Sequence, residues 1–292
     1  MIRVILFLLT NLSVTFMFGT VLFLTGLESN SIRSLIVFSS LVGFTGSITS
    51  LLLSKWSALR STNGRIIYKP QTSMEAWILN AVRYQSNQLG IKTPEVAIYT
   101  SNSVNAFATG YSRNSSLVAF STKLIDVMDK DQLQAVIAHE LSHVANGDMI
   151  TLALIQGVIN TFVFFVSTVF SRSIMNMLST YRNTNYVRSY GFLINYVSTM
   201  LLQAVFGMLA SIIVMAFSRY REFKADSDAA KRVGWDRMIR LLVRFKEVTD
   251  PRPPEDIKTY CIHGQTKSFF NLFSSHPPVQ NRIDALHNKT YE

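Results

Sequence analysis

The chain alternates between long runs without a charged side chain and segments of mixed polarity. Residues 4–27, 34–54, 149–171 and 189–218 carry no Asp, Glu, Lys or Arg. Each run meets the roughly 20 residues that an α-helix needs to cross a ~30 Å hydrocarbon core. Buried helices of soluble proteins seldom run beyond about 14 residues, so the pattern predicts four membrane helices arranged as two hairpins. The first run exceeds a secretory signal core and has no small-x-small cleavage site after it, which predicts a retained anchor. Small and polar residues within it and the second run, among them Thr10, Asn11, Ser13, Gly43 and Gly46, read as helix-packing positions. In the third run Gln156 and Asn160 lie four apart, on one helix face, and should turn away from lipid.

Between the runs the periodicity becomes that of a soluble domain. Residues 73–88 have helical apolar spacing, 95–99 form a short β-rich run, and 106–111 and 117–121 read as a hairpin turned by S-R-N-S. A helix follows at 123–128, and Asp129 is the expected cap of the next one. Near the end, D-P-R-P-P at 250–254 breaks the chain. Phe269, Phe270, Leu272 and Phe273 make an apolar cluster, and H-P-P-V-Q-N-R-I-D-A-L gives a helix started by proline.

Candidate chemistry sits on the helix that Asp129 opens. The run A-V-I-A-H-E-L-S-H-V-A-N-G-D at 135–148 places His139 and His143 four apart, one turn above each other, so both imidazoles reach one cation. Glu140 follows the first histidine and points toward where a metal-activated water would lie. This is the H-E-x-x-H arrangement of a zinc hydrolase. A surface helix with two incidental histidines would have polar flanks; here they are Ala, Val, Ile and Leu, and buried His and Glu need partners. A second acidic pair, Glu222 and Asp226, also lies four apart in S-R-Y-R-E-F-K-A-D. Glu222 fits the third protein ligand, and Asp226 the acceptor for the distal N–H of a ligand imidazole. One Zn2+ per chain is expected, although affinity order alone does not choose zinc.

Charge gives orientation. Lys55, Arg60, Arg65 and Lys69 follow the second run, and Arg219, Arg221, Lys224, Lys231 and Arg232 follow the fourth. The intervening turns hold Glu28 and Arg33, and Arg172, Arg182 and Arg188. The positive-inside rule puts the basic ends, and with them the catalytic domain, in the cytoplasm. The net charge of +10 is then mostly an inner-leaflet effect, and no nucleic-acid motif accompanies it. The single cysteine, Cys261, excludes an intramolecular disulfide and suits a reducing compartment.

The motifs N-A-F-A-T-G at 105–110, H-E-L-S-H-V-A-N-G-D at 139–148, R-E-F-K-A-D at 221–226 and S-H-P-P-V-Q-N-R-I at 275–283 closely resemble those of the HtpX family. These are bacterial inner-membrane zinc proteases, relatives of the type I CAAX prenyl proteases, and the resemblance runs the length of the chain. It implies a membrane α-helical plus α+β fold with a thermolysin-like (gluzincin) core and two transmembrane hairpins. It also implies that the strand carrying Asn105, Ala106 and Phe107 pairs with an extended substrate. His276, with Arg282, would stabilise the developing oxyanion. The implied role is proteolytic quality control of misfolded or damaged membrane proteins under stress.

The domain reading is a first hairpin at 1–55, catalytic residues at 56–148, a second hairpin at 149–218 and further catalytic residues at 219–292. Polypeptides and the lipid bilayer are the expected partners. A CAAX-type processing enzyme is the nearer alternative. A scaffold with a structural metal is disfavoured, because closed structural zinc sites usually take four Cys-rich ligands. A transporter would need ionisable groups within the runs, and there are none.

Overall fold

Three helices follow from the charge-free runs. In the computed structural model, which describes residues 32–181, 184–249 and 276–291, they are α1 (Ile32–Thr62), α5 (Asp148–Tyr181) and α6 (Thr184–Val233). All three are long and apolar enough to cross a membrane. The first charge-free run, the 250–254 break, Cys261 and the phenylalanine cluster lie outside the described residues. The chain forms two units: one joins the described residues up to Ser50 with Leu152–Val214, the other joins Leu51–Thr151 with the described residues from Met215 onward.

In the first unit, α1 and α5 approach at glycines. A Cβ on Gly43 would lie 2.5 Å from the Thr161 backbone nitrogen, and one on Gly157 would lie 2.7 Å from the Phe44 ring. Phe38 and Phe164 add a tilted ring pair at 5.7 Å. Gln156 finds its partner on its own helix: its amide donates to Asn160 Oδ1 at 2.8 Å. Polar groups also join α5 to α6, where Ser171 Oγ sits 2.8 Å from Asn195 Oδ1 and 2.6 Å from Ser198 Oγ. Outside these seams the surface is apolar, with Phe162, Leu201 and Ile213 each more than half exposed. In water such a surface would be strongly penalised; against lipid it is matched.

The second unit holds a four-stranded sheet in the order β1-β2-β4-β3, from β1 (Arg65–Ile66), β2 (Glu95–Tyr99), β3 (Ala106–Ser112) and β4 (Ser115–Ser121). β4 is central, parallel to β2 and antiparallel to β3, and its Leu117 to Phe120 are fully buried. β3 is one edge of the sheet and β1 the other. Arg113 and Asn114 alone join it to β4, and the register shifts beside Gly110. There φ is +142° and a Cβ would come within 2.3 Å of the Ser115 carbonyl oxygen, so glycine is required.

The helices of this unit are α2 (Ser73–Gln88), α3 (Thr122–Val127), α4 (Lys130–Asn146), α7 (Trp235–Thr249) and α8 (Val279–His287); α4 packs on β3, α2 and α7 pack on α4, and α8 packs on α7. The expected helix at 73–88, strand at 95–99 and Asp129 cap all form, the last as a reciprocal capping box with Gln132. Helix α4 is the core of the unit: Leu133, Ile137, Leu141 and Val144 are all but inaccessible to solvent. The sequence reading passed over α7. Its signal was Met238, Leu241, Leu242 and Phe245, one face of a helix that now packs into the same core. Gly234, at φ +100°, separates it from α6.

The close approach at Gly43 generates a test. Gly43→Ala puts a methyl group against backbone atoms that cannot give way, so the helices must part, at a cost of about 1–3 kcal/mol. A lower thermal midpoint in detergent is expected, and an unchanged midpoint would mean that the approach is looser than described.

Candidate metal centre

Four features of the sequence assemble one buried cluster in the second unit. Helical spacing puts His139 and His143 on one face of α4, their rings edge-on at 4.7 Å. Helix α6 brings Glu222 and Asp226 to that face. Gly147 ends α4 in the left-handed region (φ +67°), so Asp148, the first residue of α5, turns back toward the helix it follows. Finally α8 delivers Arg282.

The candidate ligand atoms face one another. His139 Nε2 and His143 Nε2 are 3.2 Å apart. Glu222 Oε2 lies 3.6 Å from the first, and Oε1 lies 3.5 Å from the second. A tetrahedral ion with bonds of about 2.0–2.1 Å requires ligand separations of roughly 3.3 Å, so the two ring nitrogens and the Glu222 carboxylate fit one small cation. Among the described residues this trio is the group that could hold a metal.

Each imidazole has a carboxylate behind it. His139 Nδ1 lies 2.9 Å from Asp226 Oδ1, and His143 Nδ1 lies 2.6 Å from Asp148 Oδ2. Each carboxylate has an arginine in turn. Arg282 donates to Asp226 through Nε at 2.7 Å and Nη2 at 2.6 Å. Arg221 donates to the Asp148 carbonyl oxygen at 2.6 Å, with Nη1 3.9 Å from the carboxylate.

Charge balance supplies a second test of fit. Glu140, Asp148, Glu222 and Asp226 are all buried, and so are Arg221 and Arg282. With neutral imidazoles, two negative charges are left over in a region where unpaired charge is costly. A divalent cation cancels them. The same field acts on protons: burial pulls the His139 imidazolium down, but the carboxylates of Asp226 and Glu222 prevail and raise its pKa to about 10. His143 is likewise raised, with Asp148 and Glu222 outweighing burial. A cation entering this site must therefore displace protons, and it binds less tightly as pH falls.

The remaining candidates fall as follows. Glu140 is buried beside His139 on α4. His276, half exposed, places Nδ1 2.8 Å from Glu222 Oε2. Arg282 is buried against Asp226, with Nη1 3.6 Å from Glu222 Oε2. Asn105 leads into edge strand β3 and its carbonyl accepts from the Ser121 backbone N–H. Ala106 packs toward the main core, and Phe107 on the other face lies 5.7 Å from the Tyr99 ring. Asp148 and Arg221 were missed by sequence reasoning as parts of the cluster. The available signal was an acid just past a left-handed glycine, and an arginine next to a ligand.

The family model described as Peptidase family M48 matches residues 72–290. Among curated proteins, the chain is 50% identical over 291 residues to Protease HtpX of Buchnera aphidicola subsp. Acyrthosiphon pisum (strain Tuc7), with 100% of each covered. It is 49% identical to Protease HtpX of Yersinia enterocolitica serotype O:8 / biotype 1B, covering 100% of this chain and 99% of that protein. Among solved structures, S. mikatae Ste24p matches with a TM-score of 0.58 at 16% identity, over 98% of this chain and 67% of that one. At that identity the likeness speaks for the fold.

The Asp226–Arg282 pair generates a test. Arg282→Ala strands a buried carboxylate and should destabilise the second unit by about 3–5 kcal/mol. Chemical denaturation followed by fluorescence of Trp235 and Trp77 measures it. A loss below about 1 kcal/mol would show that Asp226 has another source of compensation.

Proposed function

The chain belongs to peptidase family M48 and is a metalloprotease; we propose that it is a membrane-embedded zinc endopeptidase with its catalytic machinery in the cytoplasm. The observation that carries the reading is the His139, His143 and Glu222 trio at ligand spacing, with Glu140 beside it on α4. Zinc is the metal best suited to two imidazoles, one carboxylate and an open position. Bound there, it supplies Lewis acidity to a peptide carbonyl and acidifies the attacking water.

The chain's own residues do the rest. Glu140 accepts the proton of the attacking water and passes it to the leaving amine. His276, partly open to solvent next to Glu222, donates to the developing oxyanion. The free edge of β3 from Asn105 through Phe107 receives an extended peptide as an added strand, and main-chain hydrogen bonds make it tolerant of sequence. Arg282 is committed to Asp226, and we assign it to holding that carboxylate. A thermolysin-like core interrupted by a second membrane hairpin, in the domain division given above, accommodates these roles. Misfolded or damaged membrane proteins of the bacterial inner membrane are the substrates this design suits, because an edge strand recognises exposed backbone.

Two experiments test the reading. Glu140→Ala should retain stoichiometric metal while casein cleavage falls about 10²–10⁴-fold. Wild-type cleavage should stop with a chelator and return with zinc; metal loss in the variant would remove Glu140 from the base role. For orientation, exposed Ser61 and Lys231 are changed singly to cysteine in a Cys261→Ser background. Both should resist an impermeant thiol reagent in intact cells and react after lysis. Labelling of both in intact cells would reverse the orientation.

A further inference from the structure

Asp148 is a buried acid that neither the two-histidine spacing nor the Glu222–Asp226 spacing employs. As the first residue of α5 it would find ordinary employment at a helix N-terminus, where a carboxylate favours the macrodipole. That role calls for neither a buried side chain nor a histidine partner. Asp148 is only 7% exposed, and its Oδ2 lies 2.6 Å from Nδ1 of His143.

We propose that Asp148 is the positioning residue for the ligand His143, anchored for that purpose by Arg221. The proposal deepens the metalloprotease reading and rests on it. A carboxylate at Nδ1 holds the proton on that nitrogen and leaves the Nε2 lone pair free. Nε2 is the atom that faces His139 and Glu222. Gly147 makes this reach feasible: had α4 continued, the residue five beyond His143 would point about 140° around the axis from it. The left-handed turn brings it back. Arg221 then fixes the backbone of Asp148 through its carbonyl oxygen. Because Arg221 immediately precedes Glu222, one short segment of α6 sets both the third ligand and the anchor of the second. The result mirrors the other side of the site, where Arg282 holds Asp226 and Asp226 holds His139.

The test uses the full chain in detergent, stripped of metal and titrated with Co2+, reading the dissociation constant and the visible d–d spectrum. Asp148→Ala should weaken Co2+ binding about 10–100-fold and alter the spectrum. Asp148→Asn keeps an oxygen to accept from Nδ1–H, so it should keep the wild-type spectrum and bind more tightly than the Ala variant. Wild-type binding by Asp148→Ala, with only the metal-free melting temperature lowered, would make Asp148 a helix-start residue and overturn the proposal. So would an Asn variant no better than Ala. Should the Ala variant not fold, Asp148→Asn decides alone: a retained spectrum with weaker binding supports positioning, and a lost spectrum or unweakened binding rejects it. His143→Ala is the control for the underlying reading. If it binds Co2+ like wild type, the metal site itself is misassigned, whatever Asp148 does.

Discussion

A buried carboxylate costs several kcal/mol unless positive charge is buried with it, and this chain buries four around two imidazoles. Most of the second unit's arrangement follows from meeting that requirement. Arg282 must come in from α8 and Arg221 from α6, and each binds the carboxylate-bearing residue behind one histidine. What the two guanidiniums leave uncompensated is the charge of one divalent cation. Structural stability and metal affinity therefore share a cause: the field that would strain a metal-free protein is the field that attracts the metal. The raised pKa of both histidines expresses the same field toward protons.

Holding such a cluster requires α4 and α6 to keep register, and apolar packing alone would permit sliding. Polar contacts prevent it. Arg232 donates to the Ala138 carbonyl oxygen and to Ser142 Oγ, and Asn146 donates to Asp228 at 2.9 Å. Each lies within two turns of a ligand. Rigidity at this scale matters, because ligands displaced by an ångström no longer share one small ion.

The parts of this molecule legible in the sequence are those encoded over a few residues. The two-histidine helix, the Asp129 cap, the strand at Glu95–Tyr99 and the charge-free runs each depend on local spacing, and local spacing survives folding. Pairings across the fold left weaker traces. Arg282 was expected beside His276 at the oxyanion, and nothing in its neighbourhood along the chain reveals its bond to Asp226, fifty-six residues away. Asp148 left no local trace of its role, since its contact with His143 depends on the sign of φ at Gly147. Gln156 and Asn160 were seen as a pair, but not as sufficient to each other. Helix α7 is the opposite case: Met238, Leu241, Leu242 and Phe245 carry a plain local helical spacing.

The position of the apolar insertion follows from the site itself. His143 and Asp148 precede 152–214, and Arg221 and Glu222 follow it, yet all four meet within hydrogen-bonding or ligand distance. The chain that departs after Thr151 must therefore come back at Met215 to the side it left. A single crossing would strand Glu222 across the bilayer from both histidines, with no polar path by which the ligands could meet. The basic residues from Arg219 to Arg232 occupy the returning end. They lie on the same helix as Glu222 and Asp226, so the segment that leaves the apolar insertion also carries two of the four buried acids of the cluster.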